Sequence, residues 1–346
     1  MKKEIKIGNI TIGGNNPIII QSMTNIKTSN IKDAVNQINA LSSKGAKIVR
    51  LAVEDETDAL SIKEIKKHVS VPLVADIHFD YKLALLSIEN GADKIRINPG
   101  NIKKENLIHI INKAKEYNIP IRIGVNSGSL EKELYDEYGV TTTSLYKSLI
   151  NHIKFFEENN FTNLVLSVKS TDIQTNYEVN KLIYENTNYP IHIGLTESGS
   201  VKAGIIRSSY ALGTLIKEGI GDTIRVSLTG DPVNEISVAK EILSMFKKYD
   251  KPTLICCPTC GRTKYDMEPI VNEIEEFLNT INTPLKVAIM GCAVNGPGEA
   301  RDADIGIAGG INEALLFKKG TPIKKVPQDQ IINVLKQEIL EMIKSR

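Results

Sequence analysis

From residue 17 to about residue 248 one motif recurs eight times: a short β-branched run, then a longer amphipathic stretch. The runs fall at 17–23, 48–53, 73–78, 94–99, 121–125, 164–169, 191–196 and 223–228. Helical patterns lie between them, for example at 31–41, 107–115, 144–158 and 203–217. Near-continuous apolar strands alternating with helices predict a parallel sheet covered on both faces. Eight repeats predict a closed (βα)8 barrel of the TIM type. An open sheet is the alternative, because periodicity alone does not show closure.

A barrel of about 250 residues leaves roughly 100 more to place in a chain of 346. The stretch Lys248-Tyr249-Asp250-Lys251-Pro252 reads as a linker, dividing the chain into 1–250 and 251–346. Beyond it the rhythm changes to strand (253–256), helix (269–279) and strand (286–290). Two short strands near 305 and 314–317 and a helix over 328–345 follow. This predicts a smaller α+β module, and it carries every cysteine.

Charge excludes some functions. With 43 basic against 41 acidic residues, the net charge of +2 lacks the surplus expected of a nucleic-acid binder. No run approaches the roughly 20 apolar residues that span a bilayer, so no membrane association is expected. The start, Met1-Lys2-Lys3-Glu4-Ile5-Lys6, lacks the apolar core of a secretory signal, so a cytoplasmic location is expected.

In such barrels function sits at the C-terminal ends of the strands. Here those ends are polar: Arg50, then Asp76 and His78, Arg96 and Asn98, Arg122 and Asn126, Ser167 and Lys169, Glu197, and Arg225 and Ser227. Within each run the spacing is even, so these side chains share a face and point into the mouth. Any single Arg is most simply half of a structural ion pair. Four arginines and a lysine with few inward acids (Asp76, Glu197) instead predict an anionic ligand, and guanidinium matches phosphate in two-point contact. Charge of this size suits a diphosphate. The turn Asn126-Ser127-Gly128-Ser129 could add backbone donors.

All four cysteines come late, at 256, 257, 260 and 292. In a reducing cytosol this pattern points to metal or redox chemistry. Cys257-Pro258-Thr259-Cys260 places two thiolates in one turn, and Cys292 opens a glycine- and proline-rich loop that reaches Glu299. Three cysteines suffice for three irons of a cubane cluster, and a non-cysteine fourth ligand would leave one iron exchangeable. A structural zinc site or a redox dithiol is the alternative. Zinc normally shows a second C-x-x-C or a His pair, and a dithiol needs neither Cys292 nor the loop. Consecutive residues of a strand end point opposite ways, so Cys256 is expected to be a bystander.

Cys-Pro-Thr-Cys-Gly-Arg at 257–262 and Asn-Gly-Pro-Gly-Glu-Ala at 295–300 together resemble the motif pair of 4-hydroxy-3-methylbut-2-enyl diphosphate synthases. The likeness extends through Gln21-Ser22-Met23-Thr24, Ala75-Asp76-Ile77-His78-Phe79, Arg96-Ile97-Asn98-Pro99-Gly100-Asn101, Gly124-Val125-Asn126-Ser127-Gly128 and Gly194-Leu195-Thr196-Glu197-Ser198-Gly199. It covers nearly the whole chain and matches the two-domain form. One departure is Cys256, where members often carry Ser.

The resemblance implies a [4Fe–4S] cluster on Cys257, Cys260, Cys292 and Glu299. It implies reductive ring opening and dehydration of 2-C-methyl-D-erythritol 2,4-cyclodiphosphate, an oxidoreductase reaction of isoprenoid precursor synthesis. A flavodoxin or ferredoxin would supply the electrons. By matching position, Arg50, Arg96, Arg122, Lys169 and Arg225 would hold the diphosphate, assisted by His78, Asn98, Asn126 and Ser227. Asp76 shares the face of His78 and is expected beside the substrate. Glu197 would be the acid near the reacting carbons, and Glu299 would shield the resting cluster and yield to substrate. The alternative is a zinc-dependent hydrolase or lyase of a phosphorylated metabolite, with the cysteines on zinc.

Topology adds an expectation about assembly. The helix expected over 233–246 returns from the mouth to the far face, roughly 20 Å at 1.5 Å per residue. Five extended linker residues reach at most about 18 Å. The cluster domain would then hang below its own barrel, and a head-to-tail homodimer would let it serve another.

Overall fold

The computed structural model describes residues 2–292, 298 and 300–345. These divide into two compact units, Met1–Lys248 and Tyr249–Arg346.

In the first unit a two-stranded antiparallel hairpin, β1 (Ile5–Ile7) and β2 (Ile10–Ile12), precedes the repeats. Eight parallel strands follow: β3 (Ile19–Met23), β4 (Ile48–Ala52), β5 (Leu73–Ile77), β6 (Lys94–Ile97), β7 (Ile121–Asn126), β8 (Leu164–Lys169), β9 (His192–Gly194) and β10 (Thr223–Arg225). They run in the order β8-β7-β6-β5-β4-β3-β10-β9, and a Leu166–Ile191 bridge joins β8 to β9. The ring therefore closes, and the open-sheet alternative is excluded. Every residue of β5 and β8 is buried, as strands covered on both faces require.

Local chemistry sets the helix ends. Asp55 caps α2 (Glu56–Ile65) by accepting from the Asp58 N–H. Thr141 and Ser144 form a capping box at α6 (Thr142–Glu158). Gly45, at φ 115°, ends α1 (Ile31–Lys44) in the left-handed region.

The hairpin was not foreseen. Its signal is the alternation Ile5, Ile7, Ile10, Ile12 about a Gly8-Asn9 turn, in which Gly8 takes φ 56°. Ile5, Ile7 and Ile12 are buried against Ile48, Val74 and Val165, the inward residues at the N-terminal ends of β4, β5 and β8. The hairpin is thus an apolar seal across the end of the barrel opposite the mouth.

The second unit is a five-stranded mixed sheet in the order β11-β12-β13-β14-β15. Its strands are β11 (Thr253–Cys256), β12 (Lys286–Met290), β13 (Ile305–Gly309), β14 (Glu313–Lys318) and β15 (Thr321–Pro327). Helices Glu268–Leu278 and Ile331–Lys344 pack Ile270, Ile274, Leu335 and Ile339 onto it. Strand β15, Thr-Pro-Ile-Lys-Lys-Val-Pro, was missed. It is an edge strand with one buried residue, and its lysines and prolines are the devices that keep edges from aggregating.

Candidate active site

The barrel mouth holds a cavity of about 280 Å³. Of the residues expected there, Arg50, Asp76, His78, Arg96, Arg122, Asn126, Ser167, Lys169, Arg225 and Ser227 line it, joined by Met23, Gly124 and Thr196. Two expected residues stand apart. Asn98 is buried, and its side-chain oxygen accepts the Gly100 N–H and caps the turn Pro99–Asn101. That turn is why β6 stops at Ile97, before the expected end at 99. Glu197 is exposed on the loop after β9, at φ 52°. The same loop is tied to the next by the Ser198 hydroxyl, which donates to the Ser227 carbonyl at 2.9 Å.

Asp76 organises one side of the cavity. Its Oδ1 lies 3.0 Å from Arg96 Nη1, and its Oδ2 lies 3.5 Å from Arg50 Nε and 3.7 Å from His78 Nε2. Burial alone would raise this carboxyl. Arg50, the His78 hydrogen bond and the Arg96 and Arg122 charges overcome it and hold the group far below the usual carboxylate range.

The cations are not balanced. Arg225 meets Glu235 at 3.4 Å, a carboxylate delivered from α9 (Val233–Met245) and also bonded to the Leu228 N–H. Strand parity cannot reveal a helix residue, so Glu235 was missed, and Arg225 is half of an ion pair while it also lines the cavity. Arg50 spends Nε and Nη2 on the Met23 sulfur at 3.1 and 2.8 Å, a weak acceptor that a phosphate oxygen would readily outcompete. Arg122 Nε and Arg96 Nε have no partner among the described residues.

Five basic side chains against Asp76 and Glu235 leave an excess of positive charge in a site of low dielectric. Burial, with Arg225 and Arg96 adding repulsion, pushes Arg50 down to about 10 despite Asp76. Burial and then Arg50 and Arg96 push Arg122 well down, and burial and then Arg122 and Arg225 do the same to Lys169. An ordinary stabilising ion-pair network does not look like this. The pattern fits a receptor for a polyanion.

Two glycines make room for these cations. A Cβ at Gly194 would stand 2.7 Å from Lys169 Nζ, and one at Gly124 would stand 2.9 Å from Arg96 Nε.

In the second unit the parallel pair β11–β12 sets Cys256 opposite Ile289. The Cys257 N–H then reaches the Ile289 carbonyl at 3.4 Å, and the Gly291 N–H donates to the Cys257 sulfur at 3.0 Å. Cys257 therefore lies beside the residue preceding Cys292. Cys260 follows in a turn closed by Thr263, whose hydroxyl accepts the Cys260 N–H at 3.1 Å. No disulfide forms, so every thiol is available. Among the described residues no three His, Cys, Asp or Glu side chains close to metal-binding distance. Glu299 lies outside the described residues. The donor set itself, thiolates at two adjacent strand ends, suits iron–sulfur ligation.

The GcpE TIM-barrel domain matches residues 2–240, and the GcpE protein C-terminal domain matches residues 253–341. The chain belongs to the GcpE family. Two relatives bear the name 4-hydroxy-3-methylbut-2-en-1-yl diphosphate synthase (flavodoxin). The one from Caldanaerobacter subterraneus subsp. tengcongensis is 51% identical over 347 residues, covering 99% of this chain and 98% of its own. The one from Anoxybacillus flavithermus is 50% identical over 340 residues, covering 97% and 93%.

Among solved structures, the Xanthomonas albilineans dihydropteroate synthase superposes with a TM-score of 0.53 at 12% identity, over 70% of this chain and 97% of its own. The Yersinia pestis enzyme gives 0.52 at 13%, over 71% and 99%. At that identity the likeness is one of fold alone, and the GcpE barrel shares the TIM architecture. No helix among the described GcpE residues is long and apolar enough to cross a membrane.

Proposed function

We propose that this chain opens the ring of 2-C-methyl-D-erythritol 2,4-cyclodiphosphate and reductively dehydrates it to 4-hydroxy-3-methylbut-2-enyl diphosphate, in the cytoplasm, with electrons from flavodoxin or ferredoxin. The observation that carries this reading is the excess of buried cations in the barrel mouth of a chain whose full-length relatives bear that enzyme's name.

Cys257, Cys260, Cys292 and Glu299 would hold a [4Fe–4S] cluster, which supplies electrons one at a time and a Lewis-acidic iron for a substrate oxygen. The remaining work falls to side chains. Arg50, Arg96, Arg122, Lys169 and Arg225 neutralise the diphosphate, while Asp76 keeps the Arg50 and Arg96 guanidinium planes in place. His78, Asn126 and Ser227 add hydrogen bonds at the cavity wall, and Asn98 supports the turn Pro99–Asn101. Glu197 offers a carboxyl proton, because ring opening and loss of water consume protons as well as electrons. The test is direct. Anaerobically purified protein with reduced flavodoxin is expected to convert the cyclodiphosphate, and turnover by iron-free protein overturns the proposal.

The two units are proposed to cooperate between subunits of a head-to-tail homodimer. The support is the short linker, in which seven residues, 246–252, separate the end of α9 at Met245 from the start of β11 at Thr253. Mixing a Lys169→Ala chain with a Cys257→Ala chain, each inactive alone, is expected to restore partial activity. Confirmed heterodimers without activity would mean that each chain serves itself.

A further inference from the structure

Below the ring of arginines lies a lysine that the reaction outlined above does not use. Lys94 opens β6 two residues before Arg96, so it points into the barrel one layer deeper. Its register partner is Val74, part of the apolar seal, so its ammonium rises from an apolar floor toward the cations above. It is fully buried, and among the described residues its ammonium hydrogen-bonds Gln21 Oε1 at 3.2 Å.

No carboxylate among the described residues faces it. Arg50 comes from β4, Arg122 from β7, and His192 from β9 with Lys169 of β8 beside it, while β3 and β10 present the neutral Gln21 and Thr223. Asp76 of β5 sits at the level of Arg96, with its oxygens already engaged by Arg96 and Arg50. The layer is also short of acceptors. Gln21 Nε2, Arg122 Nε and His192 Nε2 have no partner among the described residues. A charged amine here has cations overhead and one amide oxygen for company, which is unfavourable unless an anion offsets it.

We propose that Lys94 is a proton-linked counter-charge: it binds no proton in ligand-free protein and takes one up when a diphosphate enters the cavity above it. It touches no substrate atom, and acts by adding a positive charge beneath Arg122 and Arg50 when that charge is favourable. The inference rests on the anion-site reading above and gives it a thermodynamic consequence. Burial first, then Arg122 and Arg50, hold the amine well below its ordinary range. An anion reverses the sign of the field and returns it toward that range. Anion binding then consumes a proton at any pH above the free-state pKa and below the bound-state one. Over that window affinity falls as pH rises, by about tenfold per pH unit for each proton taken up. A permanently charged or permanently neutral Lys94 would contribute no such slope.

The probe is inorganic pyrophosphate, titrated calorimetrically into anaerobically purified full-length protein in two buffers of different ionisation enthalpy. The difference in apparent enthalpy counts protons. Wild type is expected to take up close to one proton more than Lys94→Met, in which the buried volume is kept and the amine is lost. Gln21→Glu is the second variant, isosteric and independent of whether Lys94→Met folds. It sets a carboxylate against the amine, so Lys94 is charged before the anion arrives and the extra proton disappears with the lysine still present. Equal uptake by wild type and Gln21→Glu overturns the inference while leaving the anion site standing. No pyrophosphate binding by wild type overturns both.

Discussion

Serine in place of Cys257, Cys260 or Cys292 is expected to give colourless protein with turnover at background, while Cys256→Ser stays brown and active. Anaerobic wild type should carry about four irons and the broad absorption of a cubane cluster. The difference between neighbours follows from the strand end. Cys256 ends β11 and Cys257 follows it, so the two point opposite ways, and it is the Cys257 sulfur that receives the Gly291 N–H beside Cys292. A serine hydroxyl is a hard, poorly ionised ligand that binds the cluster's iron far more weakly than thiolate. Iron content and visible spectrum read the result without any assay. Equal loss in Cys256→Ser would assign the wrong thiol, and a colourless zinc protein with full activity would overturn the cluster altogether.

The second large effect belongs to the cation ring. Lys169→Met and Arg122→Met should each weaken diphosphate binding by about 2–3 kcal/mol, roughly 30- to 150-fold in Kd, with the cluster spectrum intact. The sign of the stability change is the sharper test. Removing one cation from a buried excess relieves repulsion and desolvation, so the ligand-free variants should melt no lower than wild type. Ligand titrations and thermal melts together separate this from the alternative. Structural ion pairs would give the opposite pattern, lower melting with unchanged affinity. Gly194→Ala should weaken binding in the same direction, because its Cβ displaces the Lys169 ammonium, and it should add little on top of Lys169→Met.

What could be read in advance follows from which rules are local. The barrel was legible because each strand is short, apolar and followed by a helix, and the ring of Arg50, Arg96, Arg122, Lys169 and Arg225 because even spacing fixes a face. Lys94 obeys the same parity as Arg96 and was visible in principle, one layer down. Glu235 was not, since its carboxylate enters from a helix. Nor was the detour of Asn98, an ordinary strand residue in sequence that spends its side chain on a turn. The strand at Thr321–Pro327 escaped because edge protection erases the β signature that a search relies on. Cys256 and Cys257 could be separated by alternation, whereas their relation to Cys292 needed the pairing of β11 with β12.

The hairpin beneath the barrel changes how traffic must be imagined. With Ile5, Ile7 and Ile12 sealing one end, the cavity is a vessel with one door. Under the proposed reaction, substrate arrives, water departs and product departs past the same side chains. The product still carries both phosphates, so the attraction that draws the substrate inward also resists the exit of what replaces it. Entry and departure are single-file, and each turnover ends in competition for one threshold.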